Sequence, residues 1–248
     1  MAREPSIAAA PAPRAGARRP GRASRQCGRL LAAALVLPPS HALACTDPPE
    51  PAEFVIHHET YGDVGRHAIT FACDGDDLIV ETAIAGEIRI LMVPLFKRDG
   101  RYREVWRKDR LIAFDSRVED NGEVYEVSAR ADRDQTVIDG RRGRIETPPT
   151  IVSNHPWNHE VVDRTLLFDT QRGRLQEVRV TGLGTETVAV AGRKVMARKY
   201  RITGDLEREL WYDAAGNWLQ SRLEHDGAKI TLTRRRVPLG TGPLDAGS

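Results

Sequence analysis

The sequence has few cysteines, few aromatic residues and no apolar run long enough to cross a bilayer. Its 248 residues include three Cys, four Trp, five Tyr and five Phe. The most apolar run, Leu30–Leu37, has eight residues, whereas a transmembrane helix needs about 20. We therefore expect no integral membrane span in the mature chain.

An excess of positive charge is also missing from most of the chain. Residues 1–44 hold seven of the 37 basic residues and one of the 35 acidic residues, so residues 45–248 hold 30 basic and 34 acidic residues. Their charges alternate in sign and do not form the clustered basic face that nucleic-acid binding requires. We expect no nucleic-acid partner.

Motifs of known enzyme chemistry are absent as well. There is no Gly-x-Ser-x-Gly motif for a nucleophilic serine. The segment Gly182-Leu183-Gly184 resembles part of a phosphate-binding loop, but it lies between two strand-like runs and predicts a hairpin. The sequence therefore predicts no catalytic residue, no cofactor and no enzymatic activity.

One group of residues supports an alternative. His155, His159 and Asp163 are spaced four apart, as metal ligands on one face of a helix are. The His-Glu-x-x-His motif is absent, and Pro156 places His155 at or before the start of a helix, which favours capping or packing roles. A metal-dependent enzyme that uses His155 and His159 stays open as an alternative function.

The beginning of the chain predicts export. Seven arginines precede the apolar run Leu30–Leu37, and the small-residue site Ala42-Leu43-Ala44 follows it. This order is typical of a secretory signal peptide, which we predict over residues 1–44 as a signal peptide with a long basic leader. The predicted location is the periplasm, with a lipid anchor through Cys45 as the alternative.

The remainder predicts one β-rich domain over residues 45–240 and a disordered tail over residues 241–248. Cys45 and Cys73 are left after export, an even number that allows one disulfide bond. The alternative is that Cys73 is a small buried thiol.

Alternating polar and apolar residues dominate this domain, as in half-buried strands. His67, Ile69 and Phe71, for example, share one face of a predicted strand. Dipeptides that favour tight turns separate the runs: Asp74-Gly75, Asp99-Gly100, Asn121-Gly122, Asp139-Gly140, Gly216-Asn217 and Asp226-Gly227. We predict an all-β fold, a strongly curved antiparallel sheet (half-barrel) of about eight to eleven strands.

One segment departs from the alternation. Residues 153–169 contain capping residues and a proline suited to a first helical turn, and Trp157, Val161 and Phe168 of the predicted helix at 155–169 fall on one helical stripe. This pattern predicts one short helix on the concave face of the sheet. Between helix and sheet we expect a ligand cleft lined by aromatic side chains: Phe71, Tyr102, Trp106, Trp157 and Phe168.

Over about residues 54–235 the chain resembles a family of exported bacterial proteins described as domain of unknown function 6134. The resemblance is carried by residues 61–65 (YGDVG), 102–107 (YREVWR), 155–158 (HPWN), 165–169 (TLLFD) and 204–213 (GDLERELWYD). The last third is also similar to a second group of exported β-rich proteins. That similarity implies a curved antiparallel sheet around a helix, like periplasmic lipoprotein carriers and outer-membrane lipoprotein receptors.

These observations together suggest a function in the bacterial envelope. We expect an exported periplasmic protein that binds or carries an apolar ligand without catalysis, with a lipid or another envelope component as its partner. A structural envelope protein with a packed core is the second possibility, and the metal-dependent enzyme is the third.

Export predicts a defined mature N-terminus. N-terminal sequencing and membrane fractionation of native material should find a soluble protein that begins at Cys45, because cleavage follows the small residue Ala44. A blocked Cys45 in the membrane fraction would show the lipid anchor instead.

Overall fold

The strands of this protein follow the alternation of its sequence. The computed structural model describes residues 45–91, 93–225 and 227–238, which belong to one compact unit. The predicted signal peptide and the predicted tail lie outside these residues. The strands are β1 (Ala52–His58), β2 (Gly62–Asp74), β3 (Asp77–Ile90), β4 (Val93–Arg107), β5 (Arg110–Asp120), β6 (Glu123–Ala131), β7 (Thr136–Gly140), β8 (Gly143–Thr147), β9 (Val152–Ser153), β10 (Leu166–Phe168), β11 (Leu175–Val190), β12 (Arg193–Gly204), β13 (Arg208–Tyr212), β14 (Trp218–His225) and β15 (Ala228–Arg234).

The fifteen strands of the described residues form one sheet, in the order β8-β7-β6-β5-β4-β3-β2-β1-β15-β14-β13-β12-β11-β10-β9. Neighbours pair antiparallel except β9 and β10, which are parallel. The all-β, mostly antiparallel prediction is therefore confirmed, although the strands outnumber the predicted eight to eleven.

The predicted half-barrel is wrong, because the sheet is neither closed nor strongly curled. Its two edge strands are short: β8 has five residues and β9 has two. Within the described residues each edge strand pairs on one side only, β8 with β7 and β9 with β10. The sheet therefore ends at these strands instead of joining edge to edge.

The predicted helix at 155–169 is also wrong in kind. A single 3-10 helix, His159–Asp163, lies there, and the described part of the chain contains no α-helix. Asn158 caps it, since its side-chain oxygen accepts a hydrogen bond from the Glu160 amide at 3.0 Å. Arg164 is already extended, and Leu166–Phe168 pairs with β11. Strand pairing has overridden the helical spacing of the apolar residues.

Two predicted turns lie inside strands. The Asp99-Gly100 pair is part of β4, where a Cβ on Gly100 would lie 2.7 Å from Ile84 Cγ2. This glycine therefore permits close packing and does not form a turn. The Gly182-Leu183-Gly184 segment is part of β11, where the register against β12 shifts, and the hairpin turn falls later, at Ala191 and Gly192.

The main hydrophobic core covers one side of the sheet, which we call the core face. In β1 the alternate residues Ala52, Phe54 and Ile56 are buried on this face. A second, smaller cluster lies apart from it around Trp211 and Leu219. No helix within the described residues is long and apolar enough to span a membrane.

A disulfide bond joins Cys45, which precedes β1, to Cys73 near the end of β2. A sulfur atom in a disulfide cannot also carry a thioether-linked lipid. The disulfide and the lipid anchor through Cys45 therefore exclude each other.

Removing this cross-link should destabilise the domain. The two cysteines are 28 residues apart, and closing a loop of that size in the unfolded chain contributes about 3.6 kcal/mol. A Cys45→Ser/Cys73→Ser variant should lose about that free energy of unfolding in urea titrations. The parent protein should lose the same amount when reduced, and the variant should be unaffected by reductant. A parent indifferent to reduction would contradict the bond.

Candidate ligand-binding cavity

A cavity of about 830 Å³ lies over the core face. Strands β1 to β5 and β13 to β15 contribute to its walls. Residues 153–174, which we call the bridging segment, and residues 205–208 complete them. The volume falls within the range of about 300–1,000 Å³ that is usual for small-molecule sites.

One part of the cavity wall is apolar. Apolar side chains from several strands line it: Ile56, Val64, Ile84, Ile88, Leu95, Phe96, Leu206, Leu223, Ile230 and Leu232. The apolar surface continues outward along the β3–β4 hairpin, where Ile90, Leu91 and Val93 are exposed, Leu91 to 93%. An exposed apolar group next to a cavity is typical of a binding surface.

A group of polar side chains lines another part of the cavity. Arg98 Nη2 donates a hydrogen bond to Gln171 Oε1 at 2.6 Å, and Arg98 Nη1 lies 3.5 Å from Asp120 Oδ2. Gln171 also donates to Asp120 at 3.1 Å. These contacts tie β4 and β5 to the bridging segment and fix the guanidinium, while Arg98 Nε has no hydrogen-bond partner in the described structure.

Arg208, on β13, lines the same cavity but has fewer polar partners than Arg98. Its Nη1 donates to the Asn154 carbonyl oxygen at 3.5 Å, and its Nε has no partner among the described residues. Burial lowers the pKa of Arg208, and the nearby Arg98 charge lowers it further. The guanidinium still stays charged at neutral pH, so its charge is only weakly compensated.

His67 and Trp218 form the floor beside these arginines. Their rings meet edge to face with centroids 5.4 Å apart, and His67 is 7% exposed. Both His67 ring nitrogens and Trp218 Nε1 lack a hydrogen-bond partner within the described chain. Burial, with the neighbouring His155, Arg208 and Arg98, lowers the pKa of His67 to about 3, so this imidazole is neutral at physiological pH.

A buried carboxylate holds the start of the bridging segment. Glu104 on β4 has no exposed surface, and it accepts hydrogen bonds from Trp106 Nε1 at 2.7 Å and Trp157 Nε1 at 3.1 Å. His155 Nδ1 lies 2.6 Å from Glu104 Oε1. A carboxylate with this many donors is well satisfied, so the cluster is a structural anchor.

The three residues of the metal hypothesis are not brought together as a metal site. His155 bonds to Glu104, whereas His159 packs edge to face on Tyr212 with centroids 4.7 Å apart. No group of three or more His, Cys, Asp or Glu residues in the described ranges could hold a metal ion. Asp163 ends the 3-10 helix.

Of the five predicted cleft residues, Tyr102 lines the cavity. The rings of Phe71 and Trp106 both contact Trp157, at centroid distances of 5.5 and 5.6 Å. Phe168 is fully buried. These four aromatic side chains belong to the main hydrophobic core or pack against it, and they do not line the cavity.

Three further residues line the cavity, although none of them was predicted as a site residue: Arg98, His67 and Arg208. Arg98 and Glu104 share the face of Tyr102 on β4, because strand residues two apart point to the same side. Two charged side chains on an otherwise apolar strand face could therefore have indicated a buried polar site. No sequence pattern indicated Arg208, because its place in the cavity depends on contacts with the distant bridging segment.

The fold and the cavity define an all-β domain with a candidate small-molecule site on one face of its sheet. Residues 60–235 match the family described as Domain of unknown function (DUF6134). The protein belongs to this family, which confirms the resemblance seen in the sequence.

The fold also resembles a solved structure, titled as a beta-barrel-like protein of domain of unknown function DUF1849 from Brucella abortus. The TM-score is 0.56 at 10% sequence identity, and the match covers 75% of this chain and 95% of that one. None of the curated protein sequences compared with the chain matches it. At this identity the likeness extends to the fold alone.

The neutral His67 should make stability depend on pH. Below pH 6.5 the unfolded chain takes up a proton at His67 that the folded protein does not accept until about pH 3. The free energy of unfolding should therefore fall as the pH drops through this window, by up to about 1.4 kcal/mol per pH unit. Urea titrations of the parent and a His67→Phe variant between pH 7 and 4 should diverge, the variant showing the smaller loss. Parallel curves would contradict this assignment.

Proposed function

We propose that this protein is a non-catalytic binder or carrier of an apolar ligand of the bacterial envelope, acting in the periplasm. The observation that supports the proposal most is the cavity of about 830 Å³, part of whose wall is formed by aliphatic side chains. The signal-peptide pattern of residues 1–44 and the disulfide bond agree with an exported protein.

The cavity is adequate for an acyl chain. Each CH₂ group that leaves water contributes about 0.8 kcal/mol. A chain of about ten carbons that contacts the Ile84, Leu223 and Ile230 wall would retain useful affinity after the costs of ordering it. The apolar tip of the β3–β4 hairpin, with Leu91 exposed, would allow the chain to enter from a lipid surface or another protein.

The two rival functions have weaker support. A structural protein with a packed core has no use for a cavity of this size beside unpartnered polar atoms. A metal-dependent enzyme would use His155 and His159, but these residues have separate partners, Glu104 and Tyr212. His155 does face the cavity with a carboxylate behind it, an arrangement that also orients histidine bases in enzymes.

A cavity-filling substitution tests the proposal directly. Ile230 lines the cavity opposite Leu223 on the neighbouring strand, so Ile230→Trp places a bulky ring where the ligand would lie. Native mass spectrometry of protein purified from its own envelope should show bound lipid in the parent. The variant should carry at least about tenfold less, since the ring takes the space of the chain.

The neighbouring residue supplies a matched control. Lys229 lies on the same strand but is exposed and does not line the cavity. Lys229→Trp should therefore retain the lipid. A bare mass for the parent protein, or equal lipid in both variants, would reject the carrier function.

A further inference from the structure

Several buried N–H groups in the polar part of the cavity have no hydrogen-bond partner among the described residues. Arg98 Nε, Arg208 Nε and Trp218 Nε1 are buried N–H groups without a partner in the described ranges, and His67 adds a further N–H. Their four side chains all line the cavity. Buried donors of this kind are costly unless something accepts their hydrogen bonds. A ligand that satisfies them must present acceptor atoms.

The charges in this region favour an anionic ligand. Asp120 pairs with Arg98 at 3.5 Å, and Asp169 pairs with Arg174 at 3.3 Å. Arg208 has no ion pair with any described residue, and its best contact is the Asn154 carbonyl at 3.5 Å. These five are the Arg, Asp and Glu side chains of the cavity lining that are not exposed, and together they carry one positive charge in excess. A ligand group with a single negative charge would balance this inner part of the site, whereas the other charged lining residues, Arg172, Asp205, Glu207 and Glu224, are exposed.

The buried His67 gives independent support for a ligand at this position. This side chain is 93% buried, faces the cavity and makes no hydrogen bond through either ring nitrogen in the part of the chain described. A neutral imidazole offers one N–H donor. Together with a guanidinium it can bind the two oxygens of a carboxylate, which accepts up to four hydrogen bonds.

We propose that Arg208, Arg98 and His67 bind the carboxylate of a long-chain fatty acid, whose alkyl chain lies along the aliphatic wall of the cavity. The assignment rests on the proposed carrier function and adds the chemical class of its ligand. Arg208 donates to one carboxylate oxygen, Arg98 Nε and the His67 N–H donate to the carboxylate as well, and Asp120 and Gln171 hold the Arg98 fork in place. A fatty acid is preferred over an uncharged lipid because only the acid neutralises Arg208.

Three ligands with the same alkyl chain separate this inference from the carrier function. Palmitic acid, hexadecanol and hexadecyl phosphate are titrated into delipidated full-length mature protein, and dissociation constants are measured by displacement of a fluorescent lipid probe at neutral pH. Palmitic acid should bind about 10- to 100-fold more tightly than hexadecanol, as expected for a charge-assisted contact. Tighter binding of hexadecyl phosphate would overturn the carboxylate assignment.

Two variants test whether Arg208 causes the preference for the acid over the alcohol. Arg208→Gln should weaken palmitic acid binding by about 10- to 100-fold and leave hexadecanol binding within about twofold. Arg201→Gln, which removes an exposed arginine paired with Glu209 on the sheet, should change neither. Equal loss of acid and alcohol binding in Arg208→Gln would overturn the head-group site.

The outcomes of the two proposals are distinguishable. If hexadecanol and palmitic acid bind the parent protein equally well, the carboxylate site is wrong and the carrier function stands. If no ligand binds, the carrier function fails. The comparison of ligands on the parent protein needs no variant, so it decides the question even if Arg208→Gln does not fold.

Discussion

The cavity depends on how the buried charge of Glu104 is satisfied. An unpaired carboxylate with no exposed surface would destabilise the fold by several kcal/mol. Trp106 donates to it from the same strand, while His155 and Trp157 reach it from the bridging segment. Since two of these partners come from one short stretch, the carboxylate fixes the start of the bridging segment over the sheet.

The second attachment of the bridging segment lies at its other end. Gln171 bonds to Arg98 and Asp120, and the Thr170 carbonyl accepts a hydrogen bond from Ser116 Oγ at 2.7 Å. Both ends of the segment are therefore held by polar contacts to β4 and β5. Tyr212 on β13 donates to the Pro156 carbonyl at 2.9 Å. The segment thus connects both halves of the sheet and completes the wall of the cavity.

The sequence predicted the local features of the fold better than its long-range ones. Alternation along β2 predicted a strand because burial of one sheet face acts on every second residue. The spacing of Trp157, Val161 and Phe168 wrongly predicted a helix. The pairing of Leu166–Phe168 with β11 is a long-range contact that local spacing does not encode. Asp99-Gly100 wrongly predicted a turn for a similar reason. The glycine is needed there because a larger residue would clash with Ile84 on the neighbouring strand.

The candidate site was only partly predictable. Tyr102, predicted for a ligand cleft, is an aromatic residue on a core-facing strand position and lines the cavity. Its neighbour Trp106 instead donates to Glu104, and this role follows from the buried charge two residues away. Arg208 and His67 line the same cavity from strands far apart in the chain. Their joint function as a polar site depends on topology, which periodicity alone does not reveal.

The most direct test of this account is a crystal structure of the protein purified from its own envelope without removal of lipid. The account predicts continuous electron density along the Ile84 and Ile230 wall, ending in a polar group within hydrogen-bond distance of Arg208. A cavity filled by the protein's own side chains, with Arg208 paired to a carboxylate of the chain, would contradict it.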